Sequence, residues 1–421
     1  METQPRRQFL ATAALAGAAL AAAPALGLEA GKRPATLKVG LVGCGGRGNG
    51  AIRDFQAAAK ILGIPVEVTA VGDAFEEAAK RTAQGLGLPA DKAFGGFDNY
   101  RKVIASGCDF VVMATPPSFR PIQFAAAVEA GKHCFIEKPV CVDPVGARAM
   151  LATGEKAKAK GLGVVAGTQR RHQQSYVDTL KRIHDGQLGE LVGGQCYWNG
   201  SGIWFREKKD WIAGFSDFEW QCWNWYHWDW LCGDHIVEQH IHNIDVMNWA
   251  YGGPPVKFTG MGGRQSRGNI PGNIWDHFSV EMEYANGARV LSMCRHTPKS
   301  TPRVAERIVG SKGYADLSQS GVATIKGANP FNYSGPTLDP YVVEHTHLIE
   351  SIRKNQPLNE GEQVAISTLT AIGGRISAYT GREVSWKWLM EGSKLDIAPK
   401  EFKAGPGFFP KTPNPGETEL V

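Results

Sequence analysis

Residues 38–48 read Lys-Val-Gly-Leu-Val-Gly-Cys-Gly-Gly-Arg-Gly, a short apolar run that passes directly into a glycine-rich loop. The apolar residues predict a buried strand, and a helix-compatible segment follows the loop as far as Lys60. The glycines have the G-x-G-x-x-G spacing, which permits a tight turn, lets the backbone approach a pyrophosphate and lets helix and strand pack closely. An ordinary glycine-rich turn is the alternative, but the strand–loop–helix order favours a dinucleotide site. The loop residues expected to bind the cofactor are Gly43, Cys44, Gly45, Gly46, Arg47 and Gly48.

A second strand, predicted over residues 66–72, ends at Asp73. Asp73 follows Gly48 by 25 residues, close to the spacing of the acid that binds the adenosine ribose in such folds. A carboxylate there repels a 2′-phosphate, and the next residues, Ala74 and Phe75, offer no positive charge that would attract one. Asp73 therefore indicates NAD rather than NADP, although its alternative role is to cap the following helix.

The first half of the chain alternates strands with helices, which predicts a doubly wound parallel sheet. The predicted strands cover residues 37–42, 66–72, 109–114, 133–136 and 162–166. The predicted helices cover residues 48–60, 75–85, 98–106, 119–131 and 144–160.

The second half changes to longer strands, with an Asn286-Gly287 hairpin turn. These strands are predicted over residues 189–200, 256–263, 276–284, 288–295, 303–309 and 321–326. The predicted fold class is α/β: an N-terminal Rossmann domain and a C-terminal α+β domain with a large, open, mainly antiparallel sheet. The expected boundaries are 1–30 for a signal peptide, 36–166 for the NAD-binding domain, 167–385 for the substrate domain and 386–421 for an irregular tail.

The N-terminus has the pattern of an export signal. Arg6 and Arg7 stand in Pro-Arg-Arg-Gln-Phe-Leu, an alanine-rich stretch continues to Leu26, and small residues at 23–25 offer a cleavage site. A disordered tail with a chance arginine pair is the alternative. The pattern predicts a partner in the twin-arginine export machinery and a folded, exported protein in a bacterial periplasm.

Composition and charge limit the kinds of partner and site that this protein can have. The 421 residues have a formal net charge of +5, with lysine and arginine scattered, so no nucleic-acid partner is expected. No segment after the signal has the roughly 18 apolar residues of a membrane helix, so no stable membrane anchor is expected. The eight cysteines show neither a C-x-x-C pair nor a zinc spacing, and we interpret them as small apolar residues.

Two further motifs carry a resemblance to a known family. They are Asp109-Phe-Val-Val-Met-Ala-Thr-Pro-Pro and Ala127-Val-Glu-Ala-Gly-Lys-His-Cys-Phe-Ile-Glu-Lys-Pro139, and the similarity continues at residues 167–171, 310–313 and 344–381. The chain resembles the Gfo/Idh/MocA oxidoreductases, which include glucose–fructose oxidoreductase and inositol dehydrogenases. The resemblance implies a carbohydrate substrate on the open sheet face and a homo-oligomer, dimer or tetramer, formed through that sheet. Since a periplasm maintains no NAD pool, the predicted export implies a tightly bound NAD.

The resemblance also implies the catalytic residues. The lysine of the family's Glu-Lys-Pro motif maps to Lys138, and its acid–histidine–aspartate element maps to Glu238, His242 and Asp245. If residues 238–245 form one helix, Asp245 lies beside His242 and could orient its ring. The chain departs from the common pattern at two positions, with Glu238 in place of aspartate and His240 in place of glycine.

The remaining site residues complete the hypothesis. Further cofactor contacts are expected at Thr115, Pro116, Glu137, Lys138, Gln169 and Arg170. Substrate contacts are expected at Arg171, Tyr176, Trp228 and His240. His235, Glu238, His240 and His242 match no zinc signature, so no metal is expected, although a metal on this histidine-rich segment stays open.

Residues 204–230 contain seven of the twelve tryptophans, which suit either a sugar or a packed interface. The predicted function is NAD-dependent hydride transfer at a ring carbon of a sugar or cyclic polyol. The alternatives are a redox-neutral NAD-dependent glycosidase and a non-catalytic ligand-binding protein with the same fold.

Overall fold

The computed structural model describes residues 36–207 and 214–421. The predicted signal peptide, with Arg6 and Arg7, lies outside the described residues.

The first sheet is parallel throughout, in the order β3-β2-β1-β4-β5-β6. Its strands are β1 (Leu37–Val42), β2 (Val66–Gly72), β3 (Ala93–Phe94), β4 (Phe110–Met113), β5 (His133–Ile136) and β6 (Val164–Ala166). The strand order reverses between β1 and β4, the position at which doubly wound sheets bind ligands. The predicted parallel sheet is confirmed, and only the two-residue β3 was not predicted.

Five helices connect these strands: α1 (Gly46–Ile61), α2 (Glu76–Gly85), α3 (Asn99–Ile104), α4 (Arg120–Glu129) and α5 (Pro144–Ala159). The sequence explains their starts and their packed faces. The Asp143 carboxylate accepts from Gly146 N at the start of α5, and Pro144 takes the first helical position. Ala51, Phe55 and Ala58 form a buried stripe on α1 that packs on the sheet.

The second sheet has nine strands in the order β14-β13-β12-β11-β7-β10-β9-β8-β15. The strands are β7 (Leu191–Gly200), β8 (Lys257–Gly263), β9 (His277–Glu283), β10 (Arg289–His296), β11 (Arg303–Gly310), β12 (Gly313–Ser318), β13 (Ala323–Gly327), β14 (Phe331–Asn332) and β15 (Val384–Ser385). Only β7 and β10 pair in parallel. The sheet is therefore mainly antiparallel, as predicted. The Asn286-Gly287 turn joins β9 to β10, with a φ of 81° at Gly287.

The helices of the second half are α6 (Gln174–His184), α7 (Asp217–Trp223), α8 (Asp229–Cys232), α9 (His235–Glu238), α10 (Ile241–Tyr251), α11 (Pro340–Arg353), α12 (Gly361–Thr380) and α13 (Trp386–Glu391). One of them returns to the first domain. Leu348 and Ile349 of α11 are buried in the same core as β1 and α1, and Glu360 N donates to Val164 O. A division into consecutive segments 36–166 and 167–385 misses this return.

The tail that was predicted to be irregular, residues 386–421, begins with the helix α13. The remaining residues, 392–421, form no further helix or strand. This segment nevertheless packs on both halves of the molecule. The Phe402 ring lies 4.1 Å from that of Phe119, and Gln221 exchanges two hydrogen bonds with the backbone of Phe408. Within the described residues, no helix is long and apolar enough to cross a bilayer.

Candidate active site

The glycine loop between β1 and α1 has the geometry that its spacing predicts. Gly43 has a φ of +99°, a conformation that favours glycine. A Cβ on Gly48 would lie 1.8 Å from Gly43 O, so α1 can approach β1 only with glycine there. A Cβ on Gly45 or Gly46 would meet nothing within 4 Å, so the loop faces open space. The start of α1 at this loop has no side-chain cap, so its first N–H groups remain available to a ligand.

A cavity of about 560 Å³ opens in front of this loop. Asp73 lines it at the end of β2, and its two carboxylate oxygens accept from Cys44 N at 2.7 Å and Phe75 N at 2.9 Å. Burial raises the pKa of Asp73. Thr115 and Pro116 line the wall that follows β4. A dinucleotide fits this arrangement. Its phosphates would take the open space at the glycines and the uncapped start of α1, and its ribose would meet the carboxylate at the end of β2.

A second cavity of about 310 Å³ adjoins the first. The two share Arg47, Ala114, Thr115, Trp204 and Trp225 in their walls. The second cavity brings together the sequence-predicted residues Glu137, Lys138, Gln169, Glu238 and His242. Sequence reasoning missed several of its lining residues, namely Arg120, Trp198, Gln239 and Tyr341. The position of Arg120, five residues after Thr115 at the carboxyl end of β4, was the available signal.

Lys138 and Glu238 form a buried pair across this cavity. Lys138 Nζ donates to Glu238 O at 2.5 Å and lies 3.3 Å from Glu238 Oε1. Burial raises the pKa of Glu238 to about 7, although Lys138 and Arg120 act in the opposite direction. Glu238 Oε2 has no hydrogen-bond partner among the described residues. The carboxylate can therefore change its charge near neutral pH and still has one oxygen to offer to a bound molecule.

His242 lies on the same cavity and is neutral. Burial and the positive charges of Lys138, Arg170 and Arg47 hold the pKa of His242 well below its ordinary value. Its ring stacks on Trp198 with centroids 5.7 Å apart, and its Nδ1 has no partner in the described part of the chain. A neutral imidazole with a free nitrogen can accept a proton from a substrate hydroxyl.

Asp245 lies on α10 with His242, but among the described residues its recorded hydrogen bonds go to other partners. The helix predicted over 238–245 is interrupted at Gln239 and His240, between α9 and α10. Asp245 instead accepts from Arg171 at 2.8 and 2.9 Å and from Ser367 Oγ at 2.7 Å. These bonds, with a further one from Gln363, occupy the Asp245 carboxylate, and the role of orienting the His242 ring stays a prediction.

The four predicted substrate residues also lie elsewhere. Tyr176 is fully buried and donates to Glu306, and Arg171 is held by Asp245. His240 contacts Ser292 of β10 at 2.8 Å, because the break before α10 turns its side chain onto the sheet. Trp228 packs with Phe119 in an apolar cluster. None of the four lines either cavity.

Arg170, predicted to bind the cofactor, is likewise absent from both cavity walls. Its guanidinium is buried and donates to Glu306 at 2.8 Å, in a network that includes Tyr176 and Asn243. Arg170 therefore ties the segment after β6 to β11. Arg47 and Glu137 of the predicted set form an ion pair at the boundary of the two cavities.

The tryptophan-rich segment divides between two surroundings. Trp204 and Trp225 line both cavities, and Trp223 lines the first. Trp220, Trp228 and Trp230 pack instead in an apolar cluster with the C-terminal segment. Trp211 lies outside the described residues. The segment thus borders the pocket and also serves as core.

Cysteines and histidines give no metal site in the described ranges. All eight cysteines are buried and free, as small apolar residues are. No group of three or more histidine, cysteine or acidic residues in the part of the chain that the structure describes could hold a metal ion. The segment's histidines diverge, since His242 faces the cavity while His240 faces the sheet.

The fold and the paired cavities define a dinucleotide-binding α/β protein in which a sheet domain completes the pocket. Residues 37–165 match the Gfo/Idh/MocA family described as "Oxidoreductase family, NAD-binding Rossmann fold". Residues 176–316 match the "GFO/IDH/MocA C-terminal domain". Together the two ranges make up more than half of the chain, which therefore belongs to the Gfo/Idh/MocA oxidoreductase family.

Similar proteins include inositol dehydrogenases and a glycosidase. A scyllo-inositol 2-dehydrogenase (NAD(+)) of Bacillus subtilis is 29% identical over 152 residues, 36% of this chain and 42% of that protein. A glycosyl hydrolase family 109 protein of Streptomyces coelicolor is 29% identical over 165 residues, 38% of this chain and 33% of that protein. These matches span less than half of either relative.

Solved structures share the fold over a greater length. The crystal structure of an aldose–aldose oxidoreductase from Caulobacter crescentus superposes with a TM-score of 0.66 and 18% identity. The similarity covers 83% of this chain and all of that one. The likeness confirms the two-domain α/β architecture.

Proposed function

We propose that this protein is an exported NAD-dependent oxidoreductase that transfers hydride at a ring carbon of a sugar or cyclic polyol and retains its cofactor. One observation carries the proposal: Lys138, Glu238 and His242 line a single cavity that adjoins the cavity in front of the glycine loop. A substrate bound beside His242 would therefore lie next to the nicotinamide end of a dinucleotide held by the loop.

The chain's own residues account for the proton in this reaction. The Lys138 ammonium holds the substrate hydroxyl, and the neutral His242 ring takes its proton. NAD, when bound, supplies the acceptor for the hydride that leaves the same carbon. Glu238 fixes the position of the ammonium through its backbone carbonyl and its carboxylate. One C–H and one O–H bond break, and a carbonyl forms.

The walls of the second cavity favour a carbohydrate. Trp204 and Trp225 present flat apolar faces, while Glu238 and Gln169 keep side-chain oxygens without partners in the described ranges. A sugar has C–H faces that can pack on the tryptophan rings and hydroxyl groups that can donate to the free oxygens. The names of the inositol dehydrogenase relatives agree with a polyol substrate.

The biological setting belongs to the same proposal. Asp73 at the end of β2 supports NAD over NADP, because its charge would repel a 2′-phosphate. Arg6 and Arg7 support twin-arginine export to the periplasm. A periplasm maintains no NAD pool, so the cofactor would be loaded before export and regenerated in place. The large open sheet supports a homo-oligomer, dimer or tetramer.

A redox-neutral glycosidase is the second candidate. Such a reaction needs one group to remove a proton next to the oxidised carbon and another to protonate the leaving oxygen. Glu238, with a pKa of about 7, and neutral His242 on one cavity provide two separate proton carriers. The match to a glycosyl hydrolase family 109 protein favours testing this candidate.

The experiment is a product analysis of the protein purified from the periplasm. We expect denaturation to release nucleotide without prior supplementation, and turnover of free sugars or polyols without net release of NADH. Cleavage of glycosides without oxidised product would favour the glycosidase. An apo-protein that needs added NAD and releases NADH stoichiometrically would reject the retained cofactor, and a protein that binds no NAD would support the non-catalytic alternative.

A further inference from the structure

Arg120 is a buried cation in the wall of the second cavity. It begins α4, a helix whose first turn contains no acidic residue, and its exposed fraction is 3%. Among the described residues it forms no ion pair, and its Nε and one terminal nitrogen have no hydrogen-bond partner. Burial lowers the pKa of Arg120 to about 10, so the guanidinium still carries its charge at neutral pH.

The other buried arginines of the described residues each donate a hydrogen bond from the guanidinium group. Arg170 donates to Glu306, Arg267 donates to Trp275 O, and Arg375 donates to Gly233 O. Burial of an unpaired charge is costly, and buried charges in proteins are normally paired or hydrogen-bonded. Arg120 departs from that rule at a cavity wall, where a bound molecule can supply the missing partner.

Within the described residues, Arg120 differs from the other two cations of this cavity wall, because each of those has an ion-pair partner. Arg47 is paired with Glu137, Asp54 and Glu344, and Lys138 is paired with Glu238. Each acidic side chain that lines the second cavity thus already faces another cation. The positive nicotinamide of NAD would not supply a partner for Arg120.

We propose that the substrate carries a carboxylate, as uronic and aldonic acids do, and that Arg120 neutralises it in the second cavity. The proposal rests on the proposed function, since it names the chemical class of the substrate for the same site. One guanidinium matches one negative charge, so a carboxylate fits better than a phosphate dianion. Arg120 is then a specificity-determining residue, while Lys138 and His242 remain the catalytic ones.

The test compares ligands in pairs that differ only in the acid group. Binding of D-glucuronate against D-glucose, and of D-galacturonate against D-galactose, is measured on the NAD-loaded protein by calorimetry, with glucose 6-phosphate as the phosphate arm. We expect a uronate to bind about 10- to 100-fold more tightly than its neutral partner, the worth of a hydrogen bond to a charged group. Equal affinities, no binding by any uronate, or preference for the phosphate would each overturn the proposal.

Variants of Arg120 test whether this residue causes the preference for uronates over neutral sugars. Arg120→Gln should remove the preference, Arg120→Lys should keep part of it, and the exposed Arg53→Gln should keep all of it. A preference that survives in a folded Arg120→Gln protein would overturn the proposal. Uronate binding through Arg120 without reduction of NAD would reject the proposed function alone, and reduction of NAD by a neutral sugar in a protein that shows no preference for uronates would reject this inference alone.

Discussion

Lys138 and Glu238 are separated by 100 residues in sequence, yet the lysine ammonium lies 3.3 Å from the glutamate carboxylate and 2.5 Å from its backbone oxygen. Lys138 follows β5 of the parallel sheet, and Glu238 ends α9 of the sheet domain. The pair therefore joins the two domains at the candidate active site.

The first prediction is a pH dependence set by Glu238. Burial raises the pKa of this carboxyl group to about 7, so the group is neutral below that pH and negative above it. Because the negative form holds the Lys138 ammonium, kcat/KM for oxidation should rise as the pH increases through about 7. His242 stays neutral over this range, since its pKa is held well below the ordinary value. The measurement is kcat/KM from pH 5 to 9.

Glu238→Gln isolates the effect. The variant should be slower by roughly tenfold or more and should lose the rise near pH 7. The exposed Glu67→Gln should keep the wild-type profile. A rise near pH 7 that persists in Glu238→Gln would assign the titration to another group.

The second prediction concerns cofactor choice at Asp73. Its carboxylate accepts from Cys44 N and Phe75 N, and in complex it would also accept from a ribose diol. Asp73→Ala should weaken NAD binding by about 10- to 100-fold and narrow its lead over NADP. Dissociation constants of both nucleotides provide the check, with Asp73→Asn as the variant that keeps the size of the side chain. A wild-type protein that prefers NADP would contradict this role.

The third prediction separates two glycines of the same loop. A methyl group at Gly48 would overlap Gly43 O, so Gly48→Ala should lower the free energy of unfolding by more than about 1 kcal/mol. A methyl group at Gly45 meets no protein atom within 4 Å but enters the space proposed for the phosphates. Gly45→Ala should therefore remain within about 1 kcal/mol of the wild type and bind NAD more weakly. Thermal unfolding measures the stability of both variants, and titration with NAD measures their affinity. Equal losses of stability and of affinity in the two variants would contradict this prediction.

The sequence predicted the fold well where local signals were strong. Alternating strands and helices, the glycine loop and the Asn286-Gly287 turn each depend on nearby residues. Lys138, Glu238 and His242 also came together as expected. Contacts between residues far apart in sequence could not be predicted. Asp245 accepts hydrogen bonds from Arg171 and Ser367, and no residue near Asp245 in the sequence indicates either partner.

The substrate residues show the same limit. Tyr176 and His240 looked suited to a sugar by residue type, but one helix break and one buried carboxylate, Glu306, determine where they point. Arg120 was missed because a lone arginine after a proline-rich turn resembles a surface residue. Its burial depends on long-range packing, which places Arg120 in one cavity wall with Glu238 and Gln239.

The fourth prediction concerns export. Twin-arginine recognition requires the guanidinium pair, so replacing Arg6 and Arg7 by lysine should leave the precursor in the cytoplasm. Fractionation followed by immunoblotting measures this, and replacement of Arg33 by lysine, beyond the predicted signal, serves as the control. If the double variant still reaches the periplasm, the twin-arginine interpretation is wrong.

The central claim is that hydride leaves a substrate carbon beside Lys138 and His242. The most direct measurement mixes the NAD-loaded protein with a panel of sugars, polyols and sugar acids and follows the near-ultraviolet absorbance of reduced nicotinamide within one turnover. We predict a transient rise with at least one ligand, slowed about 10²- to 10⁴-fold in Lys138→Ala and His242→Ala, while His242→Ala still binds NAD. Ligands that bind in the second cavity without any such transient, or near-normal rates in both variants, would contradict the account.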